Sequence, residues 1–265
     1  FRMKAWKRIH ITKKRAACGV LGLLLLAAAY MGVPRAAEKV FAVAEGERRL
    51  PIYCVQTEKP QVSVSFDAAW GADDTDELLR VLKENDVKAT FFLCGYWVEK
   101  YPEEVKKIAA EGHDLGNHSA THPHMSRISS EEIAQELQKC HENVKKLTGV
   151  EMELFRPPFG EYDNHVIETA EQNGYYTIQW DVDSLDWKEQ GAEGEIRQVL
   201  EHKHLGNGSI ILFHNDAKYT PKVLDTILKG IKEKGFEIVP ISQLIHRENF
   251  EMDHEGRQIP KGKDV

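Results

Sequence analysis

Cysteine is scarce: four among 265 residues, at positions 18, 54, 94 and 140, with no CxxC pair. That spacing excludes a disulfide framework and a thiolate zinc site, and leaves the four as small hydrophobes. Basic residues are missing where a nucleic-acid surface needs them. Eight of the 35 Lys and Arg fall in the first 37 residues (Arg2, Lys4, Lys7, Arg8, Lys13, Lys14, Arg15, Arg35), so 27 basic residues face 42 acidic ones in the rest, a net charge of −15. Phosphate binding needs clustered cations, and nucleic acid is excluded as a partner. No internal repeat or low-complexity segment is visible, and nothing identifies a protein partner. A 42% apolar composition supports one single-core domain with a short appendage.

What is present begins at the N-terminus. Ala16 to Val33 is an apolar run of 18 residues with Leu21 and Leu23 to Leu26 at its centre. That length reaches the lower range of a membrane-spanning helix. Lys13, Lys14 and Arg15 directly before it place the basic end in the cytoplasm and the body outside. A cleaved signal segment with a processing site near Ala36 and Ala37 is the alternative, and either exports the body. The expected organisation is a cytoplasmic basic segment (1–15), a transmembrane anchor or signal segment (16–33), an extracytoplasmic stalk (34–60) with one short strand around Leu50 to Val55, a main domain (61–247) and a polar tail (248–265).

From residue 61 on, apolar β-type runs alternate with helical stretches, the pattern of parallel strands joined by helices. Strands are expected at 62–66, 89–93, 113–116, 153–155, 176–180, 209–213 and 237–239, and helices near 74–85, 102–111, 129–148, 163–173, 193–204 and 221–234. Ser129 followed by Glu132 is a capping box, Pro102 and Pro221 suit first helical turns, and Gly112, Gly149, Gly174 and Gly235 fall where helices stop. The fold class is α/β: a small or incomplete (β/α) barrel of about seven parallel strands. A doubly wound open sheet is the alternative.

Polar residues cluster directly after the strands: Asp67, then His118 and His122, Arg156, Asp181 with Asp183 and Asp186, and His214. In a parallel α/β fold these points share one face, at the carboxyl ends of the strands, where active sites form. His118 and His122 are spaced for a divalent metal in a helical or turn-like segment, with His124 beside them and Asp67 available as a third donor or as a general base. A His/His/carboxylate set with open positions fits metal-assisted hydrolysis. Arg156, in the stiff run Arg156-Pro157-Pro158-Phe159-Gly160, suits a carboxylate partner, in a structural salt bridge or in catalysis. His214, held by a nearby Asp as the imidazolium, suits a general acid.

Five segments in this order resemble the polysaccharide deacetylases of the NodB-homology type, over residues 60–247: Ser65-Phe66-Asp67-Ala68-Ala69-Trp70-Gly71, His118-Ser119-Ala120-Thr121-His122, Arg156-Pro157-Pro158-Phe159-Gly160, Asp183-Ser184-Leu185-Asp186-Trp187 and Leu212-Phe213-His214. The first segment and the apolar N-terminus look most like the sporulation-associated, PdaB-like branch. The resemblance implies a distorted (β/α) barrel and a divalent metal, most often zinc, on His118 and His122. It implies Asp67 as the base and Arg156 as its positioner. His214, oriented by Asp186, would protonate the departing amine. The Phe159 N–H would hold the oxyanion, Trp187 and Leu212 would line the acetyl pocket, and Lys88 would be a basic group behind the site. The implied substrate is N-acetylated cell-wall polysaccharide, peptidoglycan GlcNAc or MurNAc.

The chain departs from the family pattern at Ala68, where a second aspartate usually completes the metal triad. An alanine cannot ligate, so Asp67, water or another side chain must help, with Asp73 and Asp74 nearest in sequence. Two readings follow: a metal-dependent N-deacetylase, or a weakly active or inactive glycan-binding protein that keeps the fold.

Overall fold

The computed structural model describes residues 48–261. The expected basic segment, the apolar run Ala16–Val33 and most of the expected stalk lie outside the described residues. Among those described, no helix is long and apolar enough to cross a membrane.

The strands are β1 (Cys54–Val55), β2 (Gln61–Ala68), β3 (Thr90–Leu93), β4 (Asp114–Asn117), β5 (Leu154–Phe155), β6 (Tyr176–Thr177), β7 (Val182–Asp183), β8 (Ile210–His214), β9 (Glu237–Ile238), β10 (Phe250–Met252) and β11 (Arg257–Pro260). The helices are α1 (Thr75–Glu84), α2 (Gly95–Lys100), α3 (Pro102–Ala110), α4 (Ser130–Thr148), α5 (Asn164–Gln172), α6 (Ala192–Leu200), α7 (Thr220–Glu233) and α8 (Ile241–Leu244). The main sheet runs β6-β5-β4-β3-β2-β8-β7, with β9 beside the start of β2 and every pairing parallel. It is a curled half-barrel, the incomplete member of the expected class.

β2 lies inside the sheet between β3 and β8 and is buried along nearly its whole length. Its alternate residues Val62, Val64, Phe66 and Ala68 join the larger apolar cluster, packed with helix residues such as Leu78, Leu82, Leu137, Val144, Leu224 and Leu228. Phe66 stacks on Phe91 and Phe213, at 5.0 and 5.6 Å between ring centres; each such ring stabilises the fold by about 1.5–3 kcal/mol through burial. The opposite series, Ser63, Ser65 and Asp67, points to the inner side, where period-two alternation places it. A smaller cluster of Ile52, Val55, Phe92, Ile178, Ile210 and Ile241 fills the interior. α8 plugs the amino ends of the strands: Ile241 N–H donates to Thr90 Oγ1 and Ser242 Oγ to Asp114.

The helix signals act as expected. Ser129 Oγ accepts from the Glu132 N–H while the Glu132 carboxylate accepts from the Ser129 N–H, and α4 ends at Gly149 with a left-handed φ of 76°. Besides the short α8, which has no counterpart among the expected helices, three regions differ from expectation. The run 176–180 is only two residues of strand: the chain leaves β6 and re-enters at the opposite edge as β7. The segment Ile52–Val55 lies across that opening, bridging Ile178 on one side and Ser209 on the other. Gly208 permits this approach, because a Cβ there would collide with the Val55 carbonyl. Helix α2 was not expected; Trp97 holds it by burial and by an Nε1–H bond of 2.8 Å to the Gly71 carbonyl. Part of the expected polar tail forms the β10–β11 hairpin, which pairs with β1.

Candidate active site

Sheet register assembles the site. Asp67 on β2 is directly opposite His214 on β8, and Asn117 on β4 is opposite Phe155 on β5. His118 and Arg156, one residue further on, therefore leave adjacent strands together. A cleft of about 410 Å³ opens there, lined by Asp67, His118, His122 and His214 with Trp70, Phe159, Trp180, Asp183, Trp187 and Leu212 among others.

Arg156 is fully buried. Its Nη1 donates to Asp67 Oδ1 at 2.7 Å, its Nη2 donates to Ser65 Oγ and the Gln179 carbonyl, and its guanidinium lies 4.1 Å from the centre of the Phe92 ring. Burial favours the neutral form of Asp67, but the Arg156 charge, the neighbouring His118 and His214 and the Arg156 hydrogen bond outweigh it and hold the carboxyl below its usual range. Asp67 is thus an ionised acceptor with one oxygen committed. His118 Nδ1 lies 2.7 Å from the Arg156 carbonyl, which only accepts. That assigns the proton to Nδ1 and leaves the Nε2 lone pair free, 3.7 Å from Asp67 Oδ2. Burial pushes His118 down, and burial with the neighbouring His118 pushes His122 down to about 4. Both rings are neutral at pH 7, at 4.9 Å between centres. The segment between them is a turn, not a helix: Ser119 and His122 have φ of 67° and 58°, and Ser119 Oγ accepts the His122 N–H.

Across the cleft, His214 Nδ1 lies 2.8 Å from Asp186 Oδ1, and the His214 backbone N–H donates to Oδ2 at 2.7 Å. Burial works against a charge on this ring, but the hydrogen bond and charge of Asp186, with Asp67 and Asp183, outweigh it and raise His214 above the usual imidazole range. Asp67 and His214 sit on neighbouring strands with their titrations driven apart, an arrangement suited to a base and an acid in one site. The rim is aromatic and solvent-facing: Trp70 is 58% exposed, Phe159 55% and Trp187 60%. Phe159 has a left-handed φ of 59°, and its ring stacks on His124 at 4.4 Å. Exposed rings gathered at one cleft mark a surface built for a ligand.

A family model described as polysaccharide deacetylase matches residues 55–178. The chain is 34% identical over 193 residues to a peptidoglycan-N-acetylglucosamine deacetylase of Bacillus cereus, covering 70% of this chain and 68% of that one. The chain belongs to the polysaccharide deacetylase family. It is also 35% identical over 195 residues to the uncharacterized protein YlxY of Bacillus subtilis, 74% of this chain and 60% of that protein's length. Among solved structures it is similar to wild-type BA3943 of Bacillus anthracis, described as a CE4 family pseudoenzyme, with a TM-score of 0.71, 32% identity, and 79% of this chain and 70% of that chain covered. A BA3943 mutant with restored enzymatic activity matches with the same TM-score at 33% identity, over 79% of this chain and 73% of that one.

Set against the family expectation, the donor set for a metal is incomplete. Among the described residues no group of three or more His, Cys, Asp or Glu side chains is placed to hold an ion. Catalytic zinc commonly takes three protein ligands. Here two imidazoles are on offer, and Asp67 is bound to Arg156. Ala68 lies within β2, paired with Leu93, and packs in the outer apolar cluster; Ala69 lines the cleft instead. Neither nearby aspartate substitutes. Asp74 Oδ2 accepts the Asp216 N–H, and Asp73 is absent from the cleft lining. His124 bonds Glu161, and Asp181 is tied to Ile210 N–H and Ser209 Oγ.

Lys88 is a correction. Its Nζ donates to the Glu111 carbonyl at the opening of β3, away from the carboxyl ends of the strands. Among residues the sequence did not single out, Trp70 stands 5.6 Å from His122 between ring centres. Asn215 ties the loop after β2 to the end of β8, accepting the Ala69 N–H and donating to the Gly71 carbonyl. Gln179 and Ser65 hold Arg156. Only Trp70 carried a signal, as a tryptophan beside the first polar strand end.

Proposed function

We propose that the chain hydrolyses N-acetyl groups of cell-wall glycan, on GlcNAc or MurNAc of peptidoglycan. The observation that carries this reading is the pairing of Asp67, held ionised by Arg156, with His214, held as the imidazolium by Asp186, on adjacent strands of one aromatic-rimmed cleft. Asp67 takes a proton from water as it attacks the acetamide carbonyl. The C–N bond then breaks, acetate leaves, and His214 gives its proton to the departing amine. Trp187 and Leu212 bound the space for the acetyl methyl, and the Phe159 N–H is the oxyanion donor. In this family a divalent metal supplies an electrophile; zinc is the ion this reading favours, and with His118 and His122 as its protein ligands it is held weakly. The run Ala16–Val33, as an anchor or a cleaved signal segment, would carry the body out of the cytoplasm, and the resemblance of the first segment to the PdaB-like branch supports a role in sporulation.

A second reading, a glycan-binding protein with little or no turnover, draws on Ala68, the incomplete donor set and the likeness to a relative described as a pseudoenzyme. The intact base, acid and orienter weigh against it. Acetate release from peptidoglycan and chitooligosaccharides, measured with added zinc and with chelator, separates the two. Release that depends on zinc and vanishes in Asp67→Asn supports the enzyme. No release under any metal condition, with glycan still retained by the protein, establishes the binder.

A further inference from the structure

The hydrogen bonds behind His214 do not stop at Asp186. Thr220 Oγ1, at the start of α7, lies 3.2 Å from Asp186 Oδ2 and 2.8 Å from Glu195 Oε1. All three residues are buried, although Glu195 lies in the first turn of α6 beside residues that face solvent. The second Glu195 oxygen, Oε2, is buried with no hydrogen-bond partner. A run of four groups thus leads from the cleft into the protein and ends on a carboxyl group with one bare oxygen.

A hydroxyl has one proton to donate, and Thr220 stands between two carboxyl groups. A buried carboxylate with an unpartnered oxygen is costly, which favours the neutral acid at Glu195. Burial pushes Glu195 up, the Thr220 hydrogen bond pulls it down and the Asp186 charge pushes it up again, to about 7. Asp186, on the turn after β7, is the charged group bearing on it, and from α7 the Thr220 hydroxyl faces it. Protonated Glu195 donates to Thr220 and frees the Thr220 proton for Asp186. Ionised Glu195 takes that proton, and Asp186 Oδ2 keeps only the His214 backbone N–H. A carboxylate accepting fewer hydrogen bonds holds its imidazolium partner more tightly.

We propose that Glu195 is a positioning residue for His214, setting through Thr220 how tightly Asp186 holds the proton on the ring. The proposal deepens the reading of His214 as general acid and rests on it, but its test needs no turnover. In the full chain with isotope-labelled histidine, the His214 ring signals, assigned by their loss in His214→Gln, are followed against pH. The wild type is expected to show two inflections, one from His214 and one near pH 7 from Glu195. Glu195→Gln, neutral at every pH and able to donate to Thr220, removes the second inflection. It also lowers the His214 midpoint by about half a pH unit, the scale of one hydrogen bond lost or gained on a carboxylate. Thr220→Val, which keeps the shape and cuts the link, also removes the second inflection, and adding Glu195→Gln to it changes nothing more. An His214 curve identical in wild type, Glu195→Gln and Thr220→Val overturns the proposal, as does a second inflection that persists in Thr220→Val. If acetate release fails while these shifts appear, the hydrolase reading falls and the coupling stands.

Discussion

On one side of the cleft, His214, Asp186, Thr220 and Glu195 form an unbroken run of hydrogen bonds into the protein. On the other, His118 and His122 face each other with no third donor among the described residues, and the nearest carboxylate is already held by a buried arginine. The proton-transfer side is linked group by group as far as Glu195; the ligand side is built for two. Loss of a metal carboxylate weakens an ion's hold, yet leaves the buried Asp67–Arg156 pair intact, because that pair also joins β2 to β5. The two sides therefore fail differently when disturbed, and substitutions distinguish them.

The largest effect is expected from Asp67→Asn, which keeps the shape and removes the base. Acetate release falls by about 10²–10⁴-fold, the range of a lost general base. An equal rate in the variant breaks the comparison, because the carboxylate held by Arg156 would then contribute nothing to turnover. Next is Arg156→Met. It leaves Asp67 buried without its cation and costs about 3–5 kcal/mol of stability in urea unfolding. The sign with pH follows from Asp67, whose folded pKa is depressed: its stabilisation is present above the ordinary aspartate value and is lost as pH falls through the folded value. Wild type thus loses part of its stability on acidification, and Arg156→Met loses less. An identical acid slope in both shows that the ion pair is not the source.

How much of this was legible follows from the fold class. In a parallel sheet, each strand's last residue and the next few reach the same face, so a linear pattern of polar residues after apolar runs already encodes a cluster. Asp67, His118, His122, Arg156, Asp186 and His214 were readable for that reason, and all meet in the structure. Glu195 was not, because a glutamate in an amphipathic helix reads as surface; only packing of α6 on α7 turns it inward. Thr220 carried no signal of its own, since only Pro221 after it marks a helix start. The division of 176–180 between a two-residue edge strand and a crossing to the opposite edge depends on Ile52, more than a hundred residues earlier. The β10–β11 hairpin is short, mostly polar and paired with a strand near residue 54, so no local period announces it.

A smaller effect is expected at the acid side. Asp186→Asn removes the charge that raises His214, so the alkaline limb of the pH–rate profile moves down by about one pH unit, or tenfold in rate on that limb. The sign agrees with linkage: a raised histidine stabilises the fold fully below its unfolded pKa and loses that stability as pH rises through the folded one. An alkaline limb that does not move in Asp186→Asn assigns it to another group.

The smallest expected effect concerns the rim that both sides share. Trp70 and Trp187 are more than half exposed at the cleft mouth, and neither has a role in the proton transfers. If they serve as platforms for the sugar rings, Trp187→Ala and Trp70→Ala each raise KM by roughly five- to tenfold, the equivalent of about 1–1.5 kcal/mol of lost stacking, and leave kcat nearly unchanged. Trp70 sharpens the comparison because its ring also touches His122. A change in zinc retention in Trp70→Ala, absent in Trp187→Ala, shows that the tryptophan holds the second imidazole in place and partly offsets the carboxylate that position 68 does not supply. A change confined to KM in both variants leaves the ligand side resting on two histidines alone, and the strength of the ion's hold then limits turnover.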